Sequence, residues 1–323
     1  MRYKQLTLEK RYQITALIKA GFNQKSIAIE LSVHPSTISR ELRRNNDLVR
    51  GYNAELAQIR SAKVEMQKKK RYSLTKSIEK YIRAKLKQDW SPEQISGRMK
   101  SDTGVSVVHE TIYRYIYANK KNGGKLYTYL RHKNKKYHHR SNDYKARGTI
   151  IDRVMIDKRP KIVEKKNRIG DLEIDTVIGK NHKGALVTVV DRKSKFVLIK
   201  NVPSKEAQVV TDALIEMIQP IKAITHTITS DNGKEFAYHK QVSVALDTDF
   251  YFANPYHSWE RGLNEHTNGL IRQYLPKKSE FLHVSKEEII MIQDRLNHRP
   301  RKVLNYKTPY EVFFSEMSKK LAS

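Results

Sequence analysis

The residues with the most chemical potential are six carboxylates after residue 150: Asp171, Glu173, Asp175, Asp191, Asp231 and Glu265. Oxygen acids brought together hold hard cations such as Mg2+. Two such ions about 4 Å apart activate an attacking oxygen and stabilise a leaving one, with no covalent enzyme intermediate. Thiols play no part, because the chain contains no cysteine, which excludes disulfides and thiolate zinc sites. His138 and His139 lack further ligands at suitable spacing, so no structural zinc is expected.

Which acids can converge depends on the elements that carry them. Asp171–Ile178, Ala185–Asp191 and Phe196–Val202 read as a three-strand meander with turns at Asn181–Gly184 and Arg192–Lys195. A helix over Lys205–Ile218, a strand over Thr225–Thr229, a helix near Tyr238–Leu246 and a strand over Asp249–Ala253 follow. Hairpin strands followed by alternating helices and strands predict an α/β fold, a ribonuclease-H-like mixed sheet flanked by helices. Asp175 then falls within the first strand and Asp231 just beyond the fourth, where open sheets bind ligands.

Glu265 lies on a helix predicted over Glu260–Leu275. Leu263, Leu270 and Ile271 mark its apolar side, and Arg261, Glu265, Asn268 and Arg272 share the polar one. Each acid has a plainer use. Strand alternation puts Asp171, Glu173 and Asp175 on one face, so periodicity does not choose among them. Asp191 opens a turn, Asp231-Asn232-Gly233 is ordinary turn chemistry, and Glu260 suits the first turn of a helix.

The first half of the chain is helical. Tyr12, Ile14, Leu17 and Ile18 mark a helix ending near Gly21; a second begins near Asn23 and carries Ile27, Ala28 and Leu31; a turn at Ser32–His34 leads to a third opening at Pro35. That spacing suits a helix-turn-helix whose second member, Pro35–Arg43, presents Ser36, Thr37, Ser39 and Arg40 to DNA, backed by Arg43 and Arg44. The pattern recurs over Leu74–Asn119: Ile78, Ile82 and Leu86 form a stripe, Ser91 caps a helix over Pro92–Met99, and His109–Tyr117 turns Ile112, Tyr115 and Ile116 inward with Thr111 and Arg114 outward. Residues 51–72 and 123–160 read as basic linkers. The expected division is a first helix-turn-helix domain at 1–50, a second at 73–122, and a catalytic domain at 161–323 with a C-terminal helical extension.

Across 323 residues, 63 Lys and Arg against 34 Asp and Glu leave a net charge of +29, of which +22 falls in residues 1–150. A field of that sign gathers polyanions, so double-stranded DNA is the expected partner. No signal-peptide core and no run of about 18 apolar residues is present, so no membrane association is expected.

Separated motifs in a fixed order turn these readings into a resemblance. GDLEIDTVIG, TSDNGKEF, ANPYHSWERGLNEHTNGLIRQYLPK and LNHRPRKVLNYKTP, preceded by STISRELRRN, WSPEQISGRMK and SVVHETIYRYIY, resemble transposases of the insertion-sequence-thirty family, within the DDE and retroviral-integrase class. The similarity runs over nearly the whole chain, and the 33 residues between Asp231 and Glu265 match the spacing of that family. The resemblance selects Asp175 over its neighbours and implies that Asp175, Asp231 and Glu265 are the catalytic acids and metal ligands. They would hold two Mg2+ ions, with Mn2+ as a substitute, while Arg261 or Arg272 holds a phosphate and Asn268 contacts DNA.

It further implies a bacterial, cytoplasmic and nucleoid-associated enzyme. Such an enzyme binds terminal inverted repeats and target DNA, cleaves element ends and transfers strands, working as a homodimer or larger assembly. The competing expectation is an inactive or binding-only repressor derived from such an element. Two motifs depart from the family pattern: His266 stands where a second Asn is commoner, and Leu172 and Ile174 stand where bulky aromatic and small residues are common.

Overall fold

Side-chain caps set the first helices. Thr7 accepts from the Lys10 amide at 3.4 Å to open α1 (Leu8–Lys19), and Asn23 accepts from the Ser26 amide at 2.9 Å to open α2 (Gln24–Glu30). Between them Gly21 takes a φ of +83°, which a residue without Cβ adopts at no steric cost. Pro35 begins α3 (Pro35–Asn45). The computed structural model describes residues 5–47, 51–67, 74–131, 150–255, 257, 262–277 and 279–321, and divides into two compact units, Met1–Ser73 and Leu74–Ser323.

In the first unit Ile14, Ile27, Ala28, Leu31 and Ile38 close a small core. Buried Arg11 donates to Glu41 at 2.8 Å, tying α1 to α3, and Glu41 also accepts from the Tyr52 hydroxyl at 3.1 Å. The stretch expected as the first linker differs: Ala54–Gln67 forms a fourth helix, α4, packed on α1. Buried Ala54 and Ala57, three residues apart, let it approach closely, while its charged positions face solvent. The charge run at the end of this segment hides that weak apolar stripe from a reading by composition.

The second unit opens with a three-helix bundle: α5 (Lys76–Lys87), α6 (Pro92–Thr103), opened by a capping box between Ser91 and Gln94, and α7 (His109–Lys121). Ile78, Ile82, Leu86, Ile95, Met99, Ile112 and Ile116 fill its core. The region expected as the second linker is also partly structured. A 3-10 turn at Leu126–Tyr129 closes the bundle, and from Ile150 the chain joins the sheet, with Ile150 in the core and Phe252 donating to the Val154 carbonyl at 2.9 Å.

Five strands follow: β1 (Asp171–Ile178), β2 (Ala185–Asp191), β3 (Val197–Val202), β4 (Thr227–Ser230) and β5 (Asp249–Phe252), in sheet order β3-β2-β1-β4-β5. The first three are antiparallel, whereas β4 and β5 run parallel to β1. Helices α8 (Ala207–Ile218) and α9 (His239–Leu246) cover one face over Leu172, Ile174, Val187, Ile228 and Phe252. On the other face Val177, Leu186, Val190 and Ile199 meet α10 (Gly262–Ile271) and α11 (Lys286–Asn297) through Leu270, Ile271, Phe281 and Ile292. This is the expected mixed sheet flanked by helices.

The last helix, α12 (Pro309–Leu321), carries an attachment that the sequence did not announce. Arg98 of the bundle makes a two-pronged pair with Glu311, at 2.7 and 2.5 Å, and Asp89 accepts from the Tyr274 hydroxyl at 3.0 Å and pairs with Arg295 at 3.3 Å. At Gly97 a Cβ would come within 2.3 Å of the Tyr306 ring, so the absence of a side chain lets the two parts approach. The bundle and the sheet domain therefore form one unit. No helix among the described residues is long and apolar enough to cross a membrane.

Candidate active site and nucleic-acid surfaces

Parallel pairing of β1 with β4 is in register at Leu172 with Ile228 and Glu173 with Thr229. That pairing ends there; Asp175 lies two residues further along β1, and Asp231 two residues beyond Thr229, just past the end of β4. Both side chains continue the faces of Glu173 and Thr229, because side-chain direction repeats every second residue. Asp231 is held by its own turn, its Oδ1 accepting from the Gly233 amide at 2.8 Å, and Asn232 donates to the Ala253 carbonyl at 2.7 Å. Arg153 in turn donates to the Asn232 side chain.

Helix α10 is stitched along β1 by three side chains at four-residue spacing. Asn264 donates to the Ile174 carbonyl at 3.0 Å, Asn268 to Oδ2 of Asp175 at 2.7 Å, and Arg272 to the Ile178 carbonyl at 2.8 Å. The buried stripe of this helix therefore includes Asn264 and Thr267 beside Leu270 and Ile271. Asn268 addresses a carboxylate, and Arg272 spends its guanidinium on backbone carbonyls and the face of Phe281, with burial lowering its pKa. Glu265, between Asn264 and Asn268 in height, has an exposed side chain. Among the described residues no three acidic, histidine or cysteine side chains stand close enough to hold an ion as placed. Arg261 and Glu260 lie outside the described residues.

The rival acids are occupied elsewhere. Asp171 is fully buried and takes two bonds from Arg168 at 2.9 Å and one from the Thr227 hydroxyl at 2.9 Å. Glu173 is buried against Arg192 at 3.4 Å, within a network that continues through Glu164 and Arg159 to Thr229. Asp191 binds the Ser194 amide and hydroxyl at 2.7 and 2.6 Å and the Gly170 amide at 2.7 Å; burial raises its carboxyl pKa against the pull of those bonds. Gly170, at φ +92°, has no room for a side chain, since a Cβ would lie 1.7 Å from the Ile224 carbonyl oxygen. Asp175 is the half-buried member of the β1 series.

On α3, Ser39, Arg40, Arg43 and Arg44 are exposed and Ser36 and Thr37 half-exposed; the Ser36 hydroxyl lies 2.9 Å from Nδ1 of His34. On α7, Arg114 is exposed and Thr111 partly so, with Ile112 and Ile116 buried as expected. Asn264, Arg153 and Asn232 were missed as site residues. Only the adjacency of Asn264 to Glu265 and of Asn232 to Asp231 signalled the last and the first of these, and nothing local signals Arg153, which reaches the site from 79 residues away.

Comparison with known proteins agrees with this fold. The family described as helix-turn-helix domain matches residues 2–45, and that described as integrase core domain matches residues 167–258. The transposase for insertion sequence element IS4351 of Bacteroides fragilis is 47% identical over 96% of this chain and 95% of its own length. The transposase InsI for insertion sequence element IS30A of Escherichia coli is 34% identical over 95% of this chain and 82% of its own length. The chain belongs to the IS30 family of transposases. Within that family the IS1086 transposase of Cupriavidus metallidurans is 35% identical over 96% of this chain and 94% of its own length. The solved catalytic core domain of BIV integrase is similar at a TM-score of 0.37 with 19% identity, over 47% of this chain and 98% of that one. This IS30-family chain thus joins an N-terminal helix-turn-helix to an integrase core.

Proposed function

We propose that the chain is a metal-dependent DNA strand-transfer enzyme whose reacting centre is Asp175, Asp231 and Glu265, and that its N-terminal helices read the terminal repeats of its own element. The observation that supports this reading is the β1–β4 register, which leads Asp175 and Asp231 toward the same end of the sheet, together with the burial of the neighbouring acids of β1 on guanidinium partners. An all-oxygen donor set suits Mg2+, with Mn2+ as a substitute: Asp175 and Asp231 would hold the ions, and Glu265 would complete the set. Bound there, the metal supplies Lewis acidity to the attacking and leaving oxygens.

The chain's own residues supply the rest. Asn268 donates to Oδ2 of Asp175 and the Thr176 amide to its Oδ1 at 2.9 Å, and the two bonds together fix the rotamer of that carboxylate. The Asp231 turn points that carboxylate along the strand end through the Gly233 amide. Asn264 and Arg272 hold α10 against β1 above and below, which keeps Glu265 at the height of the two aspartates. Exposed Arg40, Arg43 and Arg44 on α3 contact bases or phosphates of the repeat, and α7 offers Thr111 and Arg114 as a second contact. Pairing two DNA ends requires at least two protomers.

The test is to incubate the protein, and separately its Asp231→Asn and Glu265→Gln forms, with labelled element-end DNA in Mg2+ or in EDTA, and to resolve nicked and joined products. The expected result is metal-dependent products from the unaltered chain alone, with repeat binding equal in all three. Equal product from either variant would overturn the assignment.

A further inference from the structure

Beside α10, on the side facing the three-helix bundle, lies a cavity of about 440 Å³ walled by Arg131, Arg299, Arg301, His266, Tyr113 and Tyr117 among others. That volume is within the range of roughly 300–1,000 Å³ typical of small-molecule sites. Its charge balance is unusual. The two acids on its wall are already paired, Asp89 with Arg295 and Glu93 with Lys302, whereas none of the three lining arginines has a carboxylate partner among the described residues. Arg299 is 3% exposed and bonds only neutral groups, the Gln273 side chain at 3.2 Å and the Tyr274 hydroxyl at 2.5 Å; its buried Nε and that of Arg301 have no partner.

Arg299 is buried, Arg301 half-buried and Arg131 exposed at the rim, and a buried cation with no carboxylate is costly unless an anion joins it. Burial and the neighbouring Arg299 push the Arg301 guanidinium down to about 9, in keeping with a wall that lacks a counter-charge. Opposite the cations, Tyr113 and Tyr117 present nearly parallel rings, 17° apart with centroids 6.3 Å from each other. Gly269 of α10 makes room for Arg131, whose guanidinium would lie 3.1 Å from a Cβ at that position.

We infer that this cavity receives one unpaired nucleotide of a DNA strand passing α10, with its phosphate among Arg131, Arg299 and Arg301 and its base against Tyr113 and Tyr117. Guanidinium groups match phosphate geometry, and aromatic faces accept any base by stacking, so the site takes nucleotides with little regard to sequence. It also gives the departure at His266 a use, since this residue lines the cavity one position after Glu265. The inference rests on the reading that α10 meets DNA and adds a holding point beside the reacting strand.

The test uses the full chain in EDTA, so that no cleavage is needed. A duplex ending in a single unpaired 2-aminopurine nucleotide is compared with the blunt duplex of the same sequence. The expected results are quenching of the overhang's fluorescence on binding, loss of that quenching in Tyr117→Leu and in Tyr113→Leu, and an affinity advantage of the overhang over the blunt duplex of about tenfold that disappears in Arg131→Gln. Tyr117 and Arg131 are exposed, and matching melting temperatures and blunt-duplex affinity confirm that these variants are intact. Equal quenching in both tyrosine variants, no advantage of the overhang, or displacement of the overhang by inorganic phosphate alone at equal concentration would overturn the inference. Quenching without any cleavage in Mg2+ would leave this site standing and remove the catalytic reading instead.

Discussion

The Asp175–Asn268 hydrogen bond, 2.7 Å long, separates two uses of one asparagine. By sequence, Asn268 shares a polar helix face with Glu265 and reads as a DNA contact; in the structure its amide is spent on a carboxylate of β1. A partner of this kind orients a metal ligand, and removing such partners costs about 10- to 100-fold in activity or metal affinity. Asn268→Ala is therefore expected to lower the cleavage rate by about that factor while leaving the Kd for element-end DNA unchanged, as measured by single-turnover cleavage alongside a binding titration. A shift confined to Kd would instead make Asn268 a DNA contact. The same scale explains why Asp171, Glu173 and Asp175 could not be told apart from alternation: all three share a face, and what separates them in the fold is burial, Asp171 lying buried on Arg168 and Glu173 on Arg192 while Asp175 is half-buried.

At the scale of elements, the docking of the three-helix bundle on α12 turns on the Arg98–Glu311 pair. Hydrogen bonding from Arg98 is the largest cause, with the Thr308 amide assisting, of a Glu311 carboxyl pKa held at about 2. A depressed carboxyl contributes stability that is complete above its unfolded value, 4.5, and is lost as pH falls from there through about 2. Glu311→Gln should therefore lower the melting temperature at pH 7, and the gap from the unaltered chain should narrow below pH 4.5. Because Glu311 is 39% exposed and screened by solvent, the contribution is on the order of 1 kcal/mol or less. Thermal melts of both forms between pH 7 and 3 check it, and a gap that stays constant with pH would assign the loss to packing. Helices with strong caps and stripes were legible beforehand, as at Asn23 and Ser91, because those signals are local. Helix α4 was not, because small Ala54 and Ala57 carry little apolar signal beside a basic run and gain their burial only against α1.

For the whole molecule the governing quantity is the charge of +29, most of it in the first 150 residues. Binding that releases counterions from DNA falls steeply with salt, and each phosphate contact adds about 0.9 to the slope of log affinity against log salt concentration. Arg40→Ala is expected to weaken binding to element-end DNA and, if Arg40 meets a phosphate, to reduce that slope by about 1. An unchanged footprint and slope would argue against α3 as the reader. What the sequence by itself determined was the five strands of the sheet and most of the helices, their order, the nucleic-acid partner and the family, because caps, alternation, charge and motif spacing are written in neighbouring residues. Only the tertiary structure decided which acids of β1 are buried on guanidinium partners, that Asn268 donates to Asp175, that Ile150 and Met155 pack on the sheet, and that the three-helix bundle is fixed to the C-terminal helices around a cationic cavity. Each of those depends on partners tens to hundreds of residues away, such as Arg98 with Glu311, whose meeting is set by packing and leaves no trace in local sequence.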